Sequence, residues 1–220
     1  MNLSDYILKD FKPFDSNELL QNAKENSKNQ TFSHFAVIEK NGALAGCIAE
    51  SDLATLEISN KTIADYRYLI HLFCAREEDH WLELLHLFAK NETNFLPVAD
   101  KNQKYLGYID LADLLHFFSN TPFLNEEGTI IVLEKETTQF SFSEISQIVE
   151  SNNGKIAGVF VSNKTKEKTE ISIKITSENT DEIMQTFRRY EYRIKSNHED
   201  DSYMDSLKNR SNYLQKYLNV

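Results

Sequence analysis

Two aspartates occupy the same place in a phrase that occurs twice: Asp52 in GCIAESDL, residues 46–53, and Asp113 in GYIDLADL, residues 107–114. A carboxylate at a helix start accepts hydrogen bonds from amides or from a ligand's hydroxyls, and it complements the partial positive charge there. Three residues ahead of these acids lie Ala49 and Asp110. Asp110 can cap a helix, whereas Ala49 supplies no polar atom. His34 opens HFAV and Phe95 opens FLPV, so the two phrases also place a hydrogen-bonding ring and an apolar ring at matching positions. The other histidines, His71, His80, His86, His116 and His198, form no HxxxH pair and have no cysteine at ligand spacing, so no metal site is expected. His198 is followed by Glu199, Asp200 and Asp201, which could chelate a divalent ion but read as a solvated acidic run. Phosphate loop, GxSxG elbow, HExxH and Cys-His arrangements are all missing from the sequence, and no catalytic residue is expected.

The elements that must carry these side chains follow from the repeat. An offset of 61 residues lays Val37 on Val98, Lys40 on Lys101, Asn41 on Asn102, Gly46 on Gly107 and Ile48 on Ile109 without a gap. Each half reads as a helical segment, then strand, turn, strand and helix. In the second half Trp81, Leu84, Leu85 and Phe88 recur at helical spacing. The first half's QNAKENSKNQT is more polar, with Ser27 where the second copy has Phe88, and predicts a more loosely packed helix.

Beyond TPFLNEEGT, residues 121–129, which reads as a linker, the pattern changes. TIIVLE predicts a buried strand. Ser141 and Glu144 stand at capping-box spacing before the Ile145, Ile148, Val149 stripe, with Phe140 placed to staple onto Ile145. KIAGVFVSN and TEISIKIT predict a hairpin; Asn179 and Glu182 begin a second helix, and EYRIKS returns as a strand. The order is βαββαβ. From Asp201 onward, Met204, Leu207, Leu214 and Leu218 predict an amphipathic helix.

The motifs HFAV with GCIAESDL and FLPV with GYIDLADL resemble the CBS domain family, whose members pair two such motifs in one module. The resemblance covers residues 1–120, with copies at about 1–59 and 60–120. Residues 121–200 look like a ferredoxin-like, ACT-like domain by element order, and residues 201–220 form the terminal helix. The combination is similar to bacterial acetoin-utilisation regulatory proteins. The fold class expected is therefore α+β, two βαββα-type halves followed by βαββαβ.

By that resemblance the module is a regulatory ligand sensor, not an enzyme, and its cleft takes an adenine nucleotide or S-adenosylmethionine. Asp52 and Asp113 become ribose acceptors, while His34 and Phe95 lie where the base packs. The residue types also fit a structural assignment: both acids complementing helix starts, Phe95 in the core and His34 in a structural hydrogen bond. The family places Ser or Thr at the positions of Ala49 and Asp110 to hold a phosphate. Two like charges about 4 Å apart repel by roughly 4 kcal/mol at an effective dielectric near 20, about three decades of affinity, so Asp110 opposes a phosphate that lacks a cation. Loss of nucleotide binding, leaving an oligomerisation or scaffold module, is the competing expectation. The ACT-like loop EKETTQF has no glycine for close approach of an amino acid's backbone.

The 24 Lys and Arg against 34 Asp and Glu give a net charge of −10, a field that repels nucleic acid and anionic membranes. Asp5 and Asp10 interrupt the opening segment, which reads as neither signal peptide nor membrane span, and a cytoplasmic protein is expected. Cys47 and Cys74 are too few for a disulfide framework. The apolar terminal stripe together with the polar first helix predicts a homodimer.

Overall fold

The computed structural model describes residues 3–195, so the amphipathic segment from Asp201 and the His198 acidic run lie outside the described residues. The chain is α+β and forms two units that divide between Ser119 and Asn120.

The repeat holds through the whole first unit. Strand β1 (Phe14–Asp15), helix α1 (Leu20–Ser27), strands β2 (His34–Ile38) and β3 (Leu44–Ala49) and helix α2 (Glu50–Thr55) make the first half. After a short strand β4 (Ile70–His71), the same order returns in β5 (Ala75–Arg76), α3 (Trp81–Lys90), β6 (Phe95–Ala99), β7 (Tyr105–Asp110) and α4 (Leu111–Ser119). The β1–β2 and β5–β6 ladders share the 61-residue register, as do β2–β3 and β6–β7. Phe14 pairs with Val37 as Ala75 pairs with Val98, and Phe35 pairs with Ile48 as Leu96 pairs with Ile109.

Each half completes itself with chain from outside its own repeat. Residues 3–8 pack on the second half: Leu3 joins the core of Leu84, Phe88, Leu96 and Ile109, Tyr6 meets Phe117 edge-on, and Leu8 exchanges backbone hydrogen bonds with Tyr108. A 3-10 segment over Ile63–Leu69 and strand β4 do the same for the first half. Ile63 enters the core of Phe14, Leu20, Phe35 and Ile48, and Ile70 pairs with Ile48. Such close approach needs glycine at Gly46 and Gly107, whose φ of 143° and 149° L side chains rarely adopt. A Cβ at Gly46 would lie 2.7 Å from the His71 carbonyl oxygen, and one at Gly107 would run into the Leu8 carbonyl.

The second unit begins with helix α5 (Pro122–Asn125), inside the segment that reads as a linker. The sequence pattern missed it because Phe123 folds onto Gly158, a contact with no local signature. Strand β8 (Thr129–Glu136), helix α6 (Phe142–Ser151), strands β9 (Lys155–Lys164) and β10 (Lys168–Thr176), helix α7 (Thr180–Arg189) and strand β11 (Arg193–Ile194) follow. The antiparallel sheet has the order β11-β8-β10-β9, a ferredoxin-like topology. Ile131, Leu133, Ile171, Ile173 and Ile175 pack beneath Ile145, Ile148, Val149, Ile183 and Phe187 of α6 and α7, with Phe140 against the same cluster. Burying each such side chain contributes about 1.5–3 kcal/mol.

Candidate functional site

The two halves of the first unit meet about a pseudo-two-fold axis, and equivalent residues touch each other across it. The Ser33 amide donates to Asn94 Oδ1 at 2.8 Å, while the Asn94 amide donates to Ser33 Oγ at 3.1 Å. Further along, the Leu44 amide donates to the Gln103 carbonyl at 2.8 Å and the Tyr105 amide donates to the Gly42 carbonyl at 3.1 Å. Both helix starts are tied to this axis: the Glu50 amide donates to the Ser33 carbonyl and the Leu111 amide to the Asn94 carbonyl, at 2.8 and 3.1 Å. Asp52 and Asp113 therefore sit in the first turns of α2 and α4 at symmetry-equivalent places.

In the first half Asp52 is brought near His34. The His34 Nδ1 meets Ser33 Oγ at 3.0 Å, and its ring stands edge-on to Phe73 with centroids 5.6 Å apart. Burial pushes the imidazole below its ordinary 6.5, opposed by the negative charge of Asp52 and assisted by His71. Burial thus favours the neutral ring, which can donate from one nitrogen and accept at the other. Ala49, at the start of α2, contributes no side-chain cap.

The second half is more acidic. Asp110 Oδ1 accepts from the Ala112 amide at 2.8 Å, which makes it a helix cap, and the Tyr108 hydroxyl donates to Asp10 Oδ1 at 2.8 Å. Burial first, then the Asp10 hydrogen bond and the charges of Asp10, Asp110 and Asp113, hold the Tyr108 phenol well above its ordinary range. One carboxylate, Asp10, thus bonds the phenol, and the charges of two more act on it. Phe95 is fully buried, stacked on Tyr108 with centroids 4.5 Å apart and flanked by Phe32 at 5.2 Å. It serves the core between the halves.

Of the five residues singled out from sequence, then, His34 and Asp52 come together, Asp110 and Asp113 come together, and Phe95 lies beneath. Asp10, Tyr108, Ser33 and Asn94 are additions made by the structure. Tyr108 lies inside the GYID motif and could have been found there, whereas Asp10 is 98 residues distant and has no local signal. Among the described residues no group of three or more His, Cys, Asp or Glu could hold a metal ion, and no helix is long and apolar enough to cross a membrane.

Residues 67–120 match the family model of the CBS domain. No curated protein matches the chain. Among solved structures, a CBS domain pair/ACT domain protein from Thermotoga maritima aligns at 21% identity and TM-score 0.48, over 54% of this chain and 96% of its own. The AMP complex of CBSX2 aligns at 17% identity and TM-score 0.46, over 53% and 95%. The CBS domains of a transcriptional regulator from Streptococcus pneumoniae align at 15% identity and TM-score 0.46, over 53% and 98%.

Proposed function

We propose that the first unit is a regulatory ligand sensor whose cleft takes an adenosine-type ligand. The observation that supports this most is the CBS-domain match over residues 67–120, a family of regulatory rather than catalytic modules, on a half whose helix-start acid has a symmetry mate in the other half. Asp52 and Asp113 are the acceptors for the ribose hydroxyls, a pairing in which one carboxylate takes both diol hydrogens. His34 offers a neutral polar edge beside Asp52, and Asp110 with Asp10 makes the second half inhospitable to an unaccompanied phosphate. Adenosine and S-adenosylmethionine should therefore bind there more tightly than ATP. Occupancy acts through differential affinity for two states of the protein, read out by the ACT-like second unit or by a partner protein. The setting is cytoplasmic and the working form a homodimer, for which light scattering should give twice the monomer mass.

Calorimetric titration of the full chain with adenosine, AMP, ADP, ATP and S-adenosylmethionine tests the reading. At least one should bind, and Asp113→Asn or Asp52→Asn should weaken it by about tenfold or more, the worth of one charged hydrogen bond. A scaffold that has lost its ligand is favoured by one observation, the Asp110 carboxylate spent on capping Ala112. Silence across the panel would establish that reading instead.

A further inference from the structure

The repeat is broken in one region, and a cavity opens there. In the 61-residue register Lys12 stands where the second half has Phe73, Asn26 where it has Leu87, and Ser27 where it has Phe88. Phe73, Leu87 and Phe88 all pack on the core of Leu84, Leu96 and Ile109. In the first half Ser27 is buried with its hydroxyl turned back on the Lys24 carbonyl at 3.0 Å. Lys12 and Asn26 line a cavity of 390 Å³ together with Phe11, Phe14, Glu18 and Gln30. Two of these departures, Lys12 and Asn26, thus stand in the cavity wall, where the other copy has the apolar Phe73 and Leu87. The volume falls within the range of small-molecule sites, about 300–1,000 Å³. Asp52, Asp113 and His34 do not line it.

The lining has two parts. Phe14, only 2% exposed, meets Phe11 edge-on at 6.0 Å and gives an apolar floor. Above it Lys12 and Glu18 bring opposite charges, and among the described residues neither is engaged in an ion pair. The Glu18 carboxylate meets the Asn26 carboxamide at 3.5 Å. Burial pushes this carboxyl above its ordinary 4.5, a cost that a ligand's ammonium would offset. Asn26 and Gln30 add carboxamides, each able to donate and to accept. A complementary ligand carries an ammonium and a carboxylate close together and an apolar side chain.

We propose that this cavity, where the first half departs from its repeat, is a binding site for a free amino acid. The ammonium lies on Glu18, the carboxylate on Lys12 and Gln30, and the side chain on Phe11 and Phe14. The site shares no lining residue with Asp52, Asp113, His34, Asp110 or Phe95.

The test is calorimetric titration of the full chain with the individual free amino acids and with the matching N-acetyl amino-acid amides, which lack both charges. At least one free amino acid should bind, and its N-acetyl amide should bind about tenfold more weakly or worse. Glu18→Gln should weaken binding by a similar factor. Asn26→Leu, which installs the residue the second half already carries there, should abolish it while the melting curve stays cooperative and adenosine titrations are unchanged. The proposal is overturned if no free amino acid binds, if the amides bind equally well, or if binding survives Asn26→Leu. Should Asn26→Leu fail to fold, Glu18→Gln alone decides: undiminished affinity in that variant refutes the site.

Discussion

Replacing Tyr105 by Phe should make the first unit more stable. The Tyr105 hydroxyl is closed off from solvent and finds no hydrogen-bond partner among the described residues, and burial holds its phenol well above the ordinary range. A polar group desolvated without compensation costs about 1–3 kcal/mol. Removing one oxygen leaves a void of roughly 10 Å³, which at about 24 cal/mol per Å³ returns only about 0.2 kcal/mol of penalty. The net gain is therefore about 0.8–2.8 kcal/mol, or roughly 3–11 °C in melting temperature for a unit of this size. Tyr108→Phe is the internal control. Its hydroxyl donates to the Asp10 carboxylate at 2.8 Å, and losing a bond to a charged acceptor should cost about 1.5–3 kcal/mol. Urea titrations followed by circular dichroism give both values, and the two variants should move in opposite directions. A Tyr105→Phe protein destabilised by 0.5 kcal/mol or more, on the order of an ordinary satisfied hydroxyl, would refute the argument.

Gly107→Ala should cost more than about 2 kcal/mol, because the methyl group strains a φ of 149° and meets the Leu8 carbonyl; a thermal melt should show the loss. In the second unit Lys168 and Lys195 draw the Glu134 carboxyl from 4.5 down to about 2. A depressed carboxyl stabilises the fold above its unfolded pKa, so stability should fall as the pH drops from about 4.5 towards 2, and urea titrations of Glu134→Gln should show a flatter profile there. Asp110→Ala should lose about 1 kcal/mol with its cap, whereas Asp110→Thr keeps a capping oxygen. If the second half binds a nucleotide, Asp110→Thr should also tighten AMP by tenfold or more on removing the like charge, and calorimetry at fixed salt should detect the change.

Much of the first unit was legible in the sequence because its signals are local and occur twice. The Gly46 and Gly107 pair, the Asp52 and Asp113 pair and the alternating strands all recur at one offset, and the observed ladders keep that register. Ser141 accepts from the Glu144 amide at the start of α6, as the capping spacing implied, and Ile145, Ile148 and Val149 are buried. What escaped notice depends on partners far along the chain. Nothing around Leu8 announces Tyr108, nothing around Asp10 announces a phenol, and Phe123 lies on Gly158 only once the hairpin exists. The polarity of α1 was legible, but its consequence was not: Leu20 and Ala23 are fully buried, so the helix is docked, and its polar Asn26 lines a cavity.

The exchanged segments govern how this unit can be taken apart. Because residues 3–8 complete the second half and residues 63–71 complete the first, a cut between the two copies releases fragments that each carry a segment the other needs: the 3-10 turn of Leu3–Tyr6 with the Leu8 bridge in one, strand β4 in the other. Neither fragment is a domain in its own right. The genetic boundary of the duplication and the folding boundary fall in different places, and the two copies must fold and unfold as one cooperative unit.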